Sequence, residues 1–480
     1  MTLSIFAAAA ATPHGEALVC DGVRSSFAEL AARAHARGAE FAALGVRPRD
    51  TLPVALLVDG SLPMFEYLHL LFAWGVPVLP IQPRLTTPER QFLLEACSAQ
   101  TLIDPSQALP VAPSSTWQGW SAPAIPDEQA LAFVASSGST GTPKLVELSR
   151  GAFLALARAD AERVPPLVDD RTLLCLPLSH VGGLSVVTRA LLARRCCVVF
   201  RASNGGLLGS VTELAQALVS ERISLVSLVP PVLSRLLREA PQLTQRAPLR
   251  AVLLGGQACS VELFEHAREL SVPVLTSYGL TEACSQVSTL SFPPPARPPI
   301  RSGAVGVGFP LRSVEVRVVN GLLAVRGSTL FTRYVGRPSA LDADGFFNTG
   351  DRGEFDPELG LFVFGRASEL IISGGENVDP SEVEHALLAY AGLSAACVFG
   401  VADPEFGERV AAAIEVSAGV DFDERALFAA LDQRLASFKQ PRAMCRFDVL
   451  PRLGSGKLDR PRIRDEARGR LRPVDRAPRT

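Results

Sequence analysis

The stretch Val134-Ala135-Ser136-Ser137-Gly138-Ser139-Thr140-Gly141-Thr142-Pro143-Lys144 decides how this chain reads: an apolar strand runs straight into a loop of small hydroxyl residues, glycines and one lysine. Such a loop suits a phosphate. Gly138 and Gly141 let the backbone turn tightly and bring its N–H groups against an anion, Ser137, Ser139, Thr140 and Thr142 add hydroxyl donors, and Lys144 adds a mobile positive charge. Pro143 stands where the GxxxxGK[ST] pattern needs its second glycine, so an ordinary P-loop NTPase fits poorly.

A Ser/Gly-rich linker is the plain alternative, and composition argues against it. The chain holds 47 Lys plus Arg, yet only three are lysines: Lys144, Lys439 and Lys457. Arg fills nearly every basic position where either residue would serve, so lysine survives where a compact point charge matters. Lys144 and Lys457 both sit in loops rich in Gly and Ser.

With 480 residues, 48% of them hydrophobic, the chain can bury large cores and should form two or more domains. A net charge of −2 implies no polyanionic partner. Nucleic acid would need a basic stripe, and none precedes the Arg-rich tail at 462–479, which also carries Asp465, Glu466 and Asp475 and reads as a solvated terminus. The nine cysteines are odd in number and lack CxxC spacing, which suits buried free thiols in a reducing cytoplasm. The first residues lack the basic segment of a signal peptide, and the longest apolar stretches are broken by His69, Pro77, His180 or Arg189, short of a membrane span. The six histidines have no zinc-ligand spacing. A homo-oligomer remains open.

Taken in order, residues 54–58, 61–74 and 76–80 read as strand, helix and strand, and another helix opens at Thr86 or Thr87. After the phosphate loop come a helix at 151–162 and a strand at 173–176. That strand runs into Pro177-Leu178-Ser179-His180-Val181-Gly182-Gly183 and a helix through Leu192. Strands at 197–200, 224–229, 250–254 and 272–275 follow, with a helix near 211–220. Two of them end in Gly255-Gly256-Gln257-Ala258 and in Ser277-Tyr278-Gly279-Leu280-Thr281-Glu282. Strands alternating with helices imply an α/β, doubly wound fold with a crevice at the carboxyl ends of its strands, where His180 also falls. From about residue 291 the chain turns Pro- and Gly-rich, with alternating strands that read as a small β-barrel ending at Asp351 and, after a hairpin, at Arg366. The segment 367–369 marks a boundary, and a compact α+β pattern follows it.

These motifs together resemble the adenylate-forming superfamily, which includes acyl-CoA and aryl-CoA ligases, luciferases and the adenylation domains of peptide synthetases. The resemblance covers about residues 15–465, with at least five motifs in order. The superfamily usually writes the loop with threonines at the positions of Ser136 and Ser139 and a glycine at that of Leu145. It implies a large N-terminal domain (1–366) of two doubly wound subdomains plus a small β-barrel, a hinge (367–369), and a small mobile α+β C-terminal domain (370–480). It implies an AMP-forming acid–thiol ligase that uses ATP, Mg2+ and coenzyme A as co-substrate on a small-molecule carboxylic acid.

The resemblance also assigns residues. Ser137, Gly138, Ser139, Thr140, Gly141, Thr142 and Lys144 would take the phosphates, and Gly256, Gln257, Ala258, Tyr278 and Gly279 the adenine. Thr281 serves phosphate, Thr140 and Glu282 serve magnesium, and Asp351 with Arg366 serves the ribose. Lys457 matches the catalytic lysine, with His180 and Thr281 as further catalytic residues. Ser373, Gly374, Gly375 and Glu376 would line the path of the pantetheine arm, and Lys439 would meet the coenzyme A phosphates. The hinge residue, usually Asp or Lys, is Ser368 here.

Amino-acid-activating members carry an aspartate near the position of His180, and no acid lies between Pro177 and Thr188. The strings 176–189 and 281–290 resemble those of ligases that activate 2-succinylbenzoate for menaquinone biosynthesis, and the short length suits that subgroup. Such an acid has two carboxylates, so the pocket must satisfy a second anion. Arg189 is the candidate, with His180, Gly183, Ser185 and Ser277 completing the expected substrate set. Another aryl- or fatty-acyl-CoA ligase, a stand-alone enzyme loading a carrier protein, and a non-catalytic nucleotide-binding relative are the alternatives.

Overall fold

Helix caps set the reading frame of the N-terminal part. Ser61 Oγ accepts from the Met64 N–H, and Gly75 closes helix Leu62–Trp74 in the left-handed conformation at φ 69°. Nearly every side chain of this helix is buried, Glu66 and His69 included, as its otherwise largely apolar sequence requires. Glu89 reaches back to the Thr86 N–H at 2.7 Å, a capping box that starts helix Thr87–Cys97 where expected. The computed structural model describes residues 2–111, 117, 123–136, 144–202, 206–312, 314–373, 376–403, 406–417, 419–454 and 456–474.

Two sheets carry the large domain. In the first, six parallel strands lie side by side in the order Val274–Tyr278, Ala251–Leu254, Leu225–Leu228, Arg171–Leu174, Cys196–Val199 and Glu16–Cys20, with short antiparallel strands at both edges. From Arg171–Leu174 the next strand is added on one side and the one after it on the other. The order therefore reverses there, and the two crossovers leave a crevice beyond the carboxyl ends of Arg171–Leu174 and Leu225–Leu228. The second sheet places Ala130–Ser136, Val78–Ile81, Val54–Leu57 and Thr101–Ile103 in parallel, with Lys144–Ser149 and Arg333–Tyr334 added antiparallel beside Ala130–Ser136.

The segment read as a small β-barrel contains a four-stranded antiparallel sheet, Val314–Val319, Leu322–Gly327, Phe347–Asp356 and Gly360–Arg366, whose two edge strands are not paired with each other. The chain then makes one 3-10 turn, Ala367–Glu369. Beyond it, strands Leu393–Asp403, Gly407–Val416 and Ala443–Phe447 carry apolar residues on both faces. Ala396, Val398, Ala412 and Ile414 pack in one core, whereas Cys397, Phe399, Ala411 and Ala413 pack in another with Ile463 and Ala467 of helix Arg460–Ala467. The period of two along each strand sorts the side chains to opposite sides of one sheet.

Among the described residues no helix is long and apolar enough to cross a membrane. All nine cysteines are free. The tail from 475 onward lies outside the described residues.

Candidate functional site

The switch point delivers the first site residue. Strand Arg171–Leu174 leads to His180, which caps helix Val181–Ala193 through its backbone rather than its side chain. Burial, helped by the charge of Lys457, pulls the imidazole pKa down to about 4. His180 is therefore neutral at physiological pH and can donate or accept one hydrogen bond without adding charge. Gly183 acts through its size: a Cβ there would stand 2.4 Å from the Pro177 carbonyl oxygen, so only glycine lets this first helical turn press against the loop that carries His180.

Across the crevice, Tyr278 ends strand Val274–Tyr278, and its hydroxyl donates to Asp351 Oδ2 at 2.5 Å. Arg366 Nε holds Asp351 Oδ1 at 2.9 Å while Nη1 donates to the Thr349 carbonyl at 2.6 Å. Strands Phe347–Asp356 and Gly360–Arg366 put Asp351 opposite Arg366 in register. Burial raises the Asp351 pKa against the opposing pull of Arg366. The result is a fixed carboxylate beside an aromatic ring, suited to binding vicinal hydroxyls.

Lys457 comes from the smaller unit. Leu453 N–H donates to the Lys457 carbonyl at 2.8 Å and Gly456 N–H to the Leu453 carbonyl at 2.9 Å, so the side chain leaves a tight turn. It ends in the crevice of the larger unit: a Cβ on Gly256 would lie 2.9 Å from its Cε and 3.3 Å from its Nζ. Gly256 itself adopts φ 81°, so glycine serves both the turn and the approach of the lysine. Burial lowers the Lys457 pKa, Arg366 lowers it further, and Asp351 opposes them. Gln257 and Ala258 adjoin Gly256 at the carboxyl end of strand Ala251–Leu254.

Thr281 and Glu282 lie in the 3-10 turn Thr281–Ala283. Glu282 Oε1 accepts from the Tyr334 hydroxyl at 2.7 Å, and the Tyr334 ring lies 5.2 Å beneath Lys144 Nζ. Sequence reasoning missed Tyr334. Its place follows from pairing strand Arg333–Tyr334 to Lys144–Ser149, a contact between distant segments that leaves no local signal. Ser137, Gly138, Ser139, Thr140, Gly141 and Thr142 lie outside the described residues, as do Gly374 and Gly375.

The expected substrate residues separate in their roles. Arg189 is not a solvated surface side chain: its Nη1 pairs with Asp160 at 2.9 Å and its Nε donates to the Ser185 carbonyl at 3.1 Å. The Ser185 hydroxyl turns back to the Gly182 carbonyl at 2.8 Å, so Ser185 reaches Arg189 with its backbone oxygen. Ser277 Oγ donates to the Ser288 carbonyl at 2.8 Å. Lys439 is engaged with Glu382 at 2.7 Å, and Ser373 pairs with Glu376 in a hairpin; no hydrogen bond or ion pair joins Lys439 to them among the described residues.

Residues 5–335 match the AMP-binding enzyme family, and residues 382–457 match the AMP-binding enzyme C-terminal domain. The chain belongs to the AMP-binding enzyme family. This AMP-binding enzyme is 32% identical to the 2-succinylbenzoate–CoA ligase of Bacillus velezensis, over 96% of this chain and 97% of that one. It is 30% identical to the corresponding Enterococcus faecalis ligase over 86% of this chain and 88% of that one. Its structure resembles o-succinylbenzoate CoA synthetase (MenE) from Bacillus subtilis in complex with the acyl-adenylate intermediate OSB-AMP, with a TM-score of 0.81, 28% identity and 99% of each chain covered. It also resembles the same synthetase in complex with ATP and magnesium ion, with a TM-score of 0.80, 29% identity, and 96% of this chain and 99% of that one covered.

Proposed function

We propose that this AMP-binding enzyme joins 2-succinylbenzoate to coenzyme A through an acyl-adenylate. The observation that carries the chemistry is the reach of Lys457 from residues 370–480 into the crevice of residues 1–366, beside Gly256 and within the fields of His180, Asp351 and Arg366. In the first half-reaction a carboxylate oxygen attacks the α-phosphate of ATP, and the bond to pyrophosphate breaks. Lys457 places positive charge where negative charge builds, in a crevice that excludes much of the water. Neutral His180 orients the carboxylate without competing as a cation. Tyr278, with Asp351 and Arg366, holds the nucleoside, and Lys144 with the 137–142 loop holds the phosphates.

Glu282 fits a magnesium site. It is a hard oxygen donor with one oxygen fixed by Tyr334, and among the described residues no group of three or more His, Cys, Asp or Glu forms a metal cage. A magnesium ion bound through one carboxylate and substrate phosphates suits that arrangement. Glu282 and Thr140 would hold it, and it would neutralise charge on the phosphates.

In the second half-reaction residues 370–480 turn about the 367–369 hinge at Ser368 and bring the 373–376 hairpin to the crevice. The coenzyme A thiolate then attacks the acyl carbon and AMP leaves. Lys439 exchanges Glu382 for a coenzyme A phosphate in that orientation. The nine free thiols suit a reducing cytoplasm.

The substrate rests on the relatives and on Arg189, the pocket cation for the second carboxylate. The test is coenzyme A-dependent AMP formation with 2-succinylbenzoate, benzoate, 4-coumarate, a medium-chain fatty acid and amino acids. Preference for 2-succinylbenzoate by orders of magnitude is expected, and preference for another acid refutes the assignment. Pyrophosphate release without thioester would point to a carrier-protein acceptor. Arg189→Ala should raise KM for 2-succinylbenzoate far more than for its analogue lacking the ring carboxylate; equal effects reject the role of Arg189.

A further inference from the structure

We infer that Asp160 is a positioning residue for Arg189, and that with Gln286 it sets the preference for an acid bearing a second carboxylate. This rests on the reading of Arg189 given above. The guanidinium is held on three sides: Nε donates to the Ser185 carbonyl at 3.1 Å, Nη1 to Asp160 Oδ1 at 2.9 Å and Nη2 to Ser227 Oγ at 3.3 Å. A guanidinium has five N–H donors, so two remain without a partner among the described residues, one on each terminal nitrogen. Two such donors match the two oxygens of a carboxylate.

Asp160 is itself held. Its Oδ1 also accepts from Gln286 Nε2 at 3.0 Å, and Gln286 Oε1 accepts from Thr289 Oγ1 at 2.8 Å. The partners fix which way the amide points, because a carboxylate needs a donor and a hydroxyl can supply one. Thr289 Oγ1 lies 3.0 Å from Ser277 Oγ. Both hydroxyl protons are already used, on the Ser288 carbonyl and on Gln286, so the hydrogen-bonded chain runs from Thr289, through Gln286 and Asp160, to Arg189. It ties helices Arg150–Arg163 and Val181–Ala193 to strand Ser288–Thr289, which pairs with strand Val274–Tyr278. Ser227 sits near the carboxyl end of strand Leu225–Leu228, so the guanidinium is anchored to a strand that borders the crevice.

Two roles for Asp160 have opposite signs. As a mere counter-charge it competes with the substrate, and removing it tightens binding of any anion. As a positioning residue it keeps the guanidinium plane in place, and removing it loosens only the acid that uses both free donors.

The experiment compares KM for 2-succinylbenzoate with KM for 4-oxo-4-phenylbutanoate, which lacks the ring carboxylate. Asp160→Ala is expected to raise the first about tenfold or more, the size of one lost charged hydrogen bond, and to leave the second unchanged. Asp160→Asn keeps an acceptor oxygen and is expected to restore most of the selectivity. Gln286→Leu, which frees Asp160 without removing its charge, is expected to move KM in the same direction as Asp160→Ala and serves if that variant does not fold. An unchanged or lower KM for 2-succinylbenzoate in Asp160→Ala and Gln286→Leu, or equal loss for both acids, overturns the inference. If Arg189→Ala leaves the selectivity intact, the reading of Arg189 itself fails; if Arg189→Ala abolishes it while Asp160→Ala does not, only the positioning role fails.

Discussion

Replacing Lys457 by alanine should split the two half-reactions. The side chain passes close to Gly256 and carries its charge into a site where burial already lowers its pKa. Such a charge is poorly compensated in the free enzyme and becomes favourable as phosphate charge builds, so it contributes to the transition state more than to the ground state. Removing one pre-organised donor of this kind costs about 10²–10³ in rate, or about 2.7–4 kcal/mol. Adenylation, followed as pyrophosphate release without coenzyme A, should therefore fall by about 10²–10³-fold. Thioester formation from supplied acyl-adenylate and coenzyme A should persist. The pH dependence gives an independent check. Since the folded pKa lies below 10.5, adenylation should decline on the alkaline side earlier than a free lysine would dictate. A protonated lysine with a depressed pKa costs stability below that pKa and returns it as pH rises, so the variant should be no less stable at neutral pH. Parallel loss of both half-reactions, or a lowered melting temperature at pH 7, would refute this reasoning.

Tyr334→Phe should raise the magnesium concentration for half-maximal activity about tenfold, since it removes one hydrogen bond to Glu282 but keeps the ring under Lys144. Tyr334→Leu should also raise KM for ATP, and an unchanged magnesium requirement in both variants would sink the proposed link. His69 is buried, its Nδ1 has no partner among the described residues and burial lowers its pKa to about 4, so its protonation in the unfolded chain should erode stability as pH falls from about 6.5 toward 4. His69→Leu should lessen the loss of urea-unfolding free energy between pH 7 and pH 5, by up to about 2 kcal/mol, and an identical pH slope would contradict this. A fluorescence distance reporter between the two units should read docked with MgATP and undocked once acyl-adenylate replaces it, whereas the same distance in both states would count against alternation.

The large-domain elements were legible because each is short, apolar and capped by residues with a local preference, such as Ser61 and Thr86. Their order in the sheets was not legible, because the reversal beside Arg171–Leu174 depends on pairing between segments far apart in the chain. The same division holds in the site. His180 and Lys457 sit in glycine-marked loops, and Asp351 follows Gly350 within a strand; the residue types at all three already suggest a task. Tyr334 and Asp160 carry no such mark, and only tertiary pairing brings one under Lys144 and the other against Arg189. Ser185 illustrates the opposite limit: its position beside the site was readable, but a helical serine can bond its own preceding turn, and here it does.

The way the two units meet gives the reaction a direction. Arg434 and Glu262 join them across the interface at 3.3 Å, but both side chains are about half exposed, and such a pair contributes little in water. Lys457 is a largely buried charge at the same interface, and burial together with Arg366 lowers its pKa against the opposing pull of Asp351. In the proposed reaction the phosphates of the nucleotide supply its favourable partner. In that reading the lysine is best placed in the crevice while the triphosphate is bound, and the smaller unit stays with it. When pyrophosphate leaves, most of that negative charge leaves too, and the cost of keeping an ammonium out of water is no longer offset. The exposed Arg434–Glu262 pair offsets little of that cost. In the proposed second half-reaction the smaller unit therefore turns about the 367–369 hinge, close to the Arg352–Asp379 pair at 3.1 Å, and opens the crevice to a thiol.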